Sequence, residues 1–337
     1  MPIRTSGRSD NYDTVLAMRI YVLALNGVFD TGLTTLLDTF GTANDLAESA
    51  GTPSARFDVT VVGVRSRVCT SHGLSVPVRS AARFARPDVA LVPALGAKMP
   101  DTLRIALERR DITDAQALLR RWSGSGALVG AACTGTFVLA GTSLLNGHRA
   151  TTSWWLAPFF RERYPHVILD DSRMIVSSSR FVTGGAALAH LDLALWLVRR
   201  RSPALAALTA RYLLVDPRPS QAAFMIPDHL AHSDPLVERF ERWARRQLAD
   251  GFSLSEAAHA AVTSERTLAR RLQSVLGKSP LAYFQDLRVE RAVHLLQTST
   301  ASVDQIAAQV GYAAGVTLRT LIRRKIGRGV RELRARD

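Results

Sequence analysis

The sharpest chemistry in this sequence belongs to one cysteine. Cys133 follows the apolar run Leu128-Val129-Gly130-Ala131-Ala132 and precedes a helix expected from Thr134 to Leu145, with small residues on both sides. This is the steric setting of a nucleophile elbow, where a tight turn holds the side chain out and a helix amino terminus lowers a thiol pKa. The same residues also suit a small buried side chain filling a tight turn, and spacing alone leaves both readings open. Ligands in open α/β sheets collect beyond the carboxyl ends of strands. Two more segments are therefore expected beside Cys133 and Thr134: Asn26-Gly27-Val28-Phe29-Asp30 and Pro93-Ala94-Leu95-Gly96. The candidate ligand residues are Asn26, Gly27, Asp30, Leu95, Gly96, Cys133 and Thr134, joined by Ser153 and Trp154. The pair Trp154-Trp155 suits either a pocket wall or plain packing.

A second set of residues could read nucleic acid. Ser253-Leu254-Ser255-Glu256 has the form of a capping box and opens a short helix burying Ala257, Ala258 and Ala261. Ser302-Val303-Asp304-Gln305 opens a counterpart with Ile306, Ala307 and Val310, 49 residues on. Turns follow at Val262-Thr263-Ser264 and Gly311-Tyr312-Ala313-Ala314-Gly315. Longer helices then align at an offset of 50, Leu268, Leu272 and Leu276 matching Leu318, Ile322 and Ile326, and Gly277 matching Gly327. Each copy is a short helix, a tight turn and a second helix. With the aliphatic stripe inward, Ser264, Arg266, Thr267, Ala269, Arg270 and Gln273 are expected to face a duplex, as are Val316, Thr317, Arg319, Thr320 and Arg323 in the second copy. Arginine can pair with guanine and glutamine with adenine in the major groove. Arg324, Lys325 and Arg328 are placed for phosphates, which add affinity without discriminating sequences. The rigid stretch Pro280 to Leu296 is expected to set the two reading helices about one DNA turn, roughly 34 Å, apart.

Charge agrees with that surface. The 337 residues carry 43 Lys plus Arg against 29 Asp plus Glu, a formal net charge of +14. From Ser253 onward there are 14 basic and 7 acidic residues, half of the surplus in about a quarter of the chain. A polyanionic partner is expected there, double-stranded DNA in particular.

Other chemistries are disfavoured. Cys69 and Cys133 are the only cysteines, so neither a disulfide framework nor a thiolate metal site is expected, and a reducing cytoplasm is the natural setting. The eight histidines are scattered with no i, i+4 pair bearing a carboxylate. No metal and no cofactor are expected. Met1 to Asn11 lacks the apolar core of a signal peptide. Trp122 to Gly147 is uncharged and long enough to span a bilayer, but its glycines and Cys133-Thr134 make it a buried strand and helix, so no membrane contact is expected.

The elements that must position these residues alternate. Met18 to Leu25, Phe57 to Val62, Val89 to Val92 and Leu128 to Ala132 are short apolar runs of the kind that form parallel strands covered on both faces. Leu33 to Leu46, the stretches near Thr102 to Trp122, and Ala186 to Val198 read as helices. Prolines 217, 219, 227 and 235 break any long helix between Leu214 and Pro235, marking a linker. A helix from Leu236 to Leu248 follows. The expected domains are 18–214, α/β, and 236–337, all-α, joined by residues 215–235.

The stretch Gly130-Ala131-Ala132-Cys133-Thr134-Gly135, with Thr151-Thr152-Ser153-Trp154-Trp155 and Phe181-Val182-Thr183-Gly184-Gly185, resembles the PfpI-type, class I glutamine-amidotransferase-like domain over about Met18 to Leu214. The resemblance implies a flavodoxin-like three-layer sandwich and an elbow cysteine. In catalytic relatives a histidine following Thr151-Thr152 and an acidic residue of the first loop, aligning near Gly32, assist that cysteine. Ser153 stands where the histidine would be. A neutral hydroxyl cannot act as the base that activates a thiol near pH 7, so no enzyme activity is expected. A cysteine-dependent hydrolase or glyoxalase-like enzyme, or a redox sensor through Cys133, is the alternative.

The tail resembles the AraC/XylS-type DNA-binding domain. Ser264-Glu265-Arg266-Thr267-Leu268-Ala269-Arg270-Arg271-Leu272 looks like its first reading helix, and Ile306-Ala307-Ala308-Gln309-Val310-Gly311-Tyr312 begins its second unit. Ala313-Ala314-Gly315 and Leu318 replace the usual polar cap and Phe. Together the two parts resemble the GlxA-type transcriptional regulators. That likeness implies a flavodoxin-like sandwich followed by two helix-turn-helix units, promoter DNA and a small-molecule effector as partners, RNA polymerase as a further one, and a homodimer formed through the sensor domain.

Overall fold

The computed structural model describes residues 17–50, 56–81, 86–216, 218, 220, 221, 225 and 234–334. Met1 to Asn11 and the linker residues 226–233, with His229 and His232, lie outside the described residues.

Strand β1 (Met18–Leu23) leads into α1 (Asp30–Ser49), and β2 (Phe57–Gly63) lies parallel to β1 with Ile20 opposite Val59. A ribbon of β3 (Val68–Cys69) and β4 (Ser75–Val76) precedes β5 (Arg79–Ser80) at the sheet edge. Then come β6 (Val89–Val92), α2 (Pro100–Leu107), α3 (Arg110–Gly124), β7 (Leu128–Ala132) and α4 (Gly135–Ala140). Short β8 (Arg149–Ala150) and β9 (Ile168–Leu169) flank α5 (Ala157–Arg163). The hairpin β10 (Ile175–Ser178) and β11 (Phe181–Gly184) follows, then α6 (Ala189–Arg201) and α7 (Pro203–Tyr212). The main sheet runs β10-β11-β7-β6-β1-β2-β5, parallel except for the edge strand β10.

Strand side chains alternate between two cores, which is why these runs are apolar throughout. Ile20, Val22, Val89 and Leu91 pack with Leu36 and Phe40 of α1 and Leu193 and Leu197 of α6. Tyr21, Leu23, Ala90 and Val92 pack on the other face with Leu103 of α2, Leu119 and Trp122 of α3 and Phe137 of α4. This is the flavodoxin-like three-layer sandwich. The helix expected to run from Thr134 to Leu145 stops at Ala140. The Thr142 hydroxyl donates to the Leu139 carbonyl at 2.6 Å and accepts the Leu144 N–H at 3.1 Å, local bonds that compete with helical ones. Trp122 to Gly147 is thus a helix end, a strand, a short helix and turns, and among the described residues no helix is long and apolar enough to cross a membrane.

The rest is helical: α8 (Pro235–Arg246), α9 (Leu254–Ala260), α10 (Glu265–Leu276), α11 (Pro280–Thr298), α12 (Val303–Gln309), α13 (Gly315–Ile326) and α14 (Val330–Arg334). Two small cores share α11. Its early residues Tyr283, Phe284 and Leu287 pack with Phe240, Ala257, Leu268 and Leu272. Val289, Ala292 and Leu296 pack with Ile306, Val310, Leu318 and Ile322. One continuous helix therefore belongs to both helix-turn-helix units and fixes them to each other.

Candidate functional site

The elbow is built by strain and close approach. Cys133 has φ of +55°, a left-handed conformation that is costly for a residue with a side chain. Its N–H donates to the Gly184 carbonyl at 2.9 Å, holding it beside β11. Gly135 lets α4 start against the end of β6, because a Cβ there would lie 2.4 Å from the Val92 carbonyl oxygen. The Cys133 Sγ sits 2.8 Å from the Ser153 Oγ, and Thr152 donates its hydroxyl to the Cys133 carbonyl at 2.8 Å. Both side chains are buried, and burial pushes the Cys133 thiol up from its ordinary value despite the hydrogen bond from Ser153. That thiol stays protonated near neutral pH.

The expected loops do meet at the carboxyl ends of β1, β6 and β7, and their polar groups largely satisfy one another. The Leu95 N–H donates to the Thr134 Oγ1 and the Thr134 hydroxyl donates to the Leu95 carbonyl, each at 2.8 Å. Gly96 donates to the Gly27 carbonyl at 2.8 Å, and Gly27 to the Cys69 carbonyl at 2.7 Å. A Cβ on Gly96 would meet the Ser71 side chain at 2.2 Å. Asn26 receives the Arg109 guanidinium on its carbonyl at 2.6 Å and the Cys69 N–H on its Oδ1 at 3.2 Å. Asp30 turns instead toward Ser71 and His72, whose hydroxyl and Nδ1 lie 2.7 and 2.8 Å from its Oδ2. Burial would raise its pKa, but hydrogen bonds from Thr70, Ser71 and His72 outweigh that and hold the carboxyl well below the usual range.

Two residues that sequence reading passed over complete this region. His190 is buried under α1, and a Cβ on Gly32 would lie 2.6 Å from its ring. The space an acidic side chain would need at position 32 is filled by an imidazole. Its Nε2 accepts the Ala94 N–H at 3.0 Å and its Nδ1 donates to the Ala187 carbonyl at 2.7 Å, which requires the neutral ring. Burial lowers its pKa to about 4. Gln221, from the linker, is fully buried behind the elbow. Its Nε2 donates to the Thr152 carbonyl at 2.8 Å and its Oε1 accepts the Trp154 N–H at 3.3 Å. No local pattern could reveal either residue, since each acts across more than sixty positions.

Of the two readings open for Trp154, pocket wall or plain packing, its surroundings favour packing. It is nine-tenths buried, and it belongs to the apolar core that contains Val237, Phe240 and Leu272 of the helical part. The helix that follows it, α5, grips α10: Arg161 donates to the Asp171 carboxylate at 2.8 Å and to the Val275 carbonyl at 3.3 Å. The segment bearing Ser153 is thereby continuous with a contact on the last turn of α10.

The second helices of the two units, α10 and α13, share geometry but differ at their starts. Ser264 caps α10, accepting the Thr267 N–H at 3.2 Å and donating to the Thr267 Oγ1 at 3.0 Å. Ala314 cannot cap α13. Asp304 of α12 does so from outside, accepting the Gly315 N–H at 2.9 Å, and a Cβ on Gly315 would lie 2.5 Å from that oxygen. Both helices end on left-handed glycines, Gly277 at +67° and Gly327 at +80°. Arg266, Arg270 and Gln273 are exposed, with Thr267 and Ala269 partly so. Val316, Thr317, Arg319, Thr320, Arg323 and Arg324 are exposed on α13. Lys325 corrects the picture of a free phosphate ligand: it is largely covered and shares the Asp286 carboxylate with Lys278. Of the two expected capping boxes, only Ser302 with Gln305 is reciprocal; Ser253 caps alone.

The profile of the DJ-1/PfpI family matches residues 18–200, and that of a helix-turn-helix domain matches residues 257–336. The chain is 30% identical over 201 residues to the HTH-type transcriptional regulator ArgR of Pseudomonas aeruginosa, a match covering 58% of this chain and 61% of that protein. It is 25% identical over 235 residues to the HTH-type transcriptional regulator GlxA of Rhizobium meliloti, covering 67% and 71%. The match to ArgR thus spans less than two thirds of that relative's length. A solved structure of a putative transcriptional regulator protein from Vibrio parahaemolyticus superposes with a TM-score of 0.50 at 20% identity, over 59% of this chain and all of that one, a likeness of fold.

Proposed function

The chain belongs to the DJ-1/PfpI family, and from that premise we propose that it is a sequence-specific DNA-binding transcriptional regulator whose α/β domain senses a small metabolite without catalysis. The observation that carries this reading is the repeated helix-turn-helix unit, with arginine and glutamine exposed on its reading helices and one helix, α11, rigidly joining the two copies. Arg266, Arg270 and Gln273 suit base edges in one major groove, and Val316, Arg319, Thr320 and Arg323 the next. Arg328, exposed just beyond α13, suits the phosphates. A duplex selected from a random pool by the full chain should carry two half-sites about one helical turn apart; recovery of no preferred sequence refutes the reading.

Catalysis by Cys133 has no support in its surroundings. Its hydrogen-bond partner is a hydroxyl, its thiol is buried with a raised pKa, and the position of an acidic partner is filled by His190. Purified protein is therefore expected to turn over neither amides nor reactive aldehydes. The effector site we propose is formed by the Asn26, Gly96 and Cys133 loops, with Gln221 and α5 as the route to the reading helices. A ligand shifts such an equilibrium only as far as it prefers one state. Titration of amino acids and betaines against operator affinity tests this, and unchanged affinity with every compound that binds refutes it. A homodimer formed through the α/β domain, recruitment of RNA polymerase at the promoter and a cytoplasmic location complete the proposal.

A further inference from the structure

A cleft of about 480 Å³ opens between the α/β and helical parts, and its lining shares no residue with the elbow loops. Arg173, just before β10, forms one wall; Lys278, Arg324 and Lys325 rise from the other around a single carboxylate, Asp286. Asp286 is already used twice, by Lys278 at 2.7 Å and by Lys325. Arg173 and Arg324 have no carboxylate within ion-pair distance among the described residues. Four cations therefore crowd one anion in a concave site, where low-dielectric walls focus their field and raise the local concentration of counter-ions. Two free guanidinium groups are suited to forked hydrogen bonding with carboxylate or phosphate. The volume lies in the range of small-molecule sites.

We propose that this cleft binds a small multivalent oxyanion, one molecule bearing two or more carboxylate or phosphate groups, that bridges Arg173 of the α/β part to Arg324 on the last turn of α13. The duplex backbone is a poorer occupant. Lys278 and Lys325 are 27% and 23% exposed and look into the gap between the two parts, whereas a phosphate backbone needs cations on an open face. The site deepens the regulator reading, because its ligand would tie the second reading helix to the α/β domain.

Calorimetric titration of the full chain with citrate and with pyrophosphate, at constant ionic strength and with acetate as the monovalent control, tests the site. One equivalent should bind saturably, and Arg173→Gln and Arg324→Gln should each weaken binding about tenfold or more. Arg110→Gln, an exposed arginine of α3, should change nothing. Absence of saturable binding by either probe overturns the proposal, as does binding that neither cleft variant alters. If Arg173→Gln weakens duplex binding equally and a duplex displaces the anion one for one, the cleft is a backbone contact and the proposal fails. Anion binding by a chain with no duplex preference leaves the site standing and sinks the regulator reading; duplex preference without anion binding does the reverse.

Discussion

Cys69 and Cys133 are both free thiols, but only the first meets solvent. A thiolate attacks a disulfide reagent and a thiol does not, and Cys133 is both hidden and held protonated by burial. One equivalent of the reagent's thiolate should therefore be displaced quickly, as Cys69 forms a mixed disulfide, and a second only with unfolding. Mapping the modified peptide checks the order, and rapid native labelling of Cys133 would revive it as a redox centre. His190 makes a comparable prediction for protons. Its folded pKa of about 4 lies below the ordinary 6.5, so between those values the unfolded chain takes up a proton that the folded chain refuses. Its contribution to stability is complete above about pH 6.5 and lost as pH falls toward 4, at most about 3 kcal/mol. Denaturant midpoints from pH 4.5 to 7.5 should rise with pH more steeply for the native chain than for His190→Gln; parallel curves would contradict this assignment.

Elements were legible in the sequence where a pattern repeats, and illegible where a single distant contact decides. Val89 to Val92 announces a strand buried on both faces, and the leucine stripe of α10 announces a helix with one buried face. Strands β5, β8 and β9 have two residues each, too few for any periodicity. Helix α7 follows α6 after one intervening residue, with Pro203 in its first turn, a position that suits a helix capped by Ser202. The elbow could be read from its glycines and Cys133, while Gln221, His190 and the destination of Trp154 could not, because sequence spacing does not encode partners far along the chain. The polar pin of α11 was equally hidden: the Tyr283 hydroxyl donates at 2.8 Å to Glu241, a buried carboxylate of α8 also held by Arg245. Tyr283→Phe leaves that carboxylate one donor short and should cost about 1–3 kcal/mol in urea denaturation. Arg270 is exposed and makes no ion pair among the described residues, so stability should hold in Arg270→Ala. Its loss should appear in recognition, as about 1–3 kcal/mol of discrimination at one base pair in competition binding.

At the scale of the molecule, the question is whether the α/β and helical parts act as one body. The covalent link between them is the linker, but the physical link is the stretch from Trp154 through α5: Trp154 enters the core of the first helix-turn-helix unit, and Arg161 of α5 spans from Asp171 to the Val275 carbonyl, with its guanidinium packed over Gly277. A Cβ at Gly277 would lie 2.5 Å from that guanidinium, so the left-handed cap of α10 and the arginine are fitted to each other. Asp171 is buried and its charge is answered by Arg161, so removing the arginine strands a carboxylate as well as breaking the contact. Arg161→Ala should therefore separate what now unfolds together. Scanning calorimetry of the native chain should give one cooperative transition or closely overlapping ones, and the variant should show an earlier transition for the helical part with Trp154 newly quenchable by acrylamide. The exposed faces of α10 and α13 are untouched by the change, so affinity for a selected duplex without effector should hold within about threefold, while any response to effector should collapse. If effector response survives in a chain whose parts melt independently, coupling does not run through α5, and the bridge across the Arg173–Arg324 cleft becomes the route to test next.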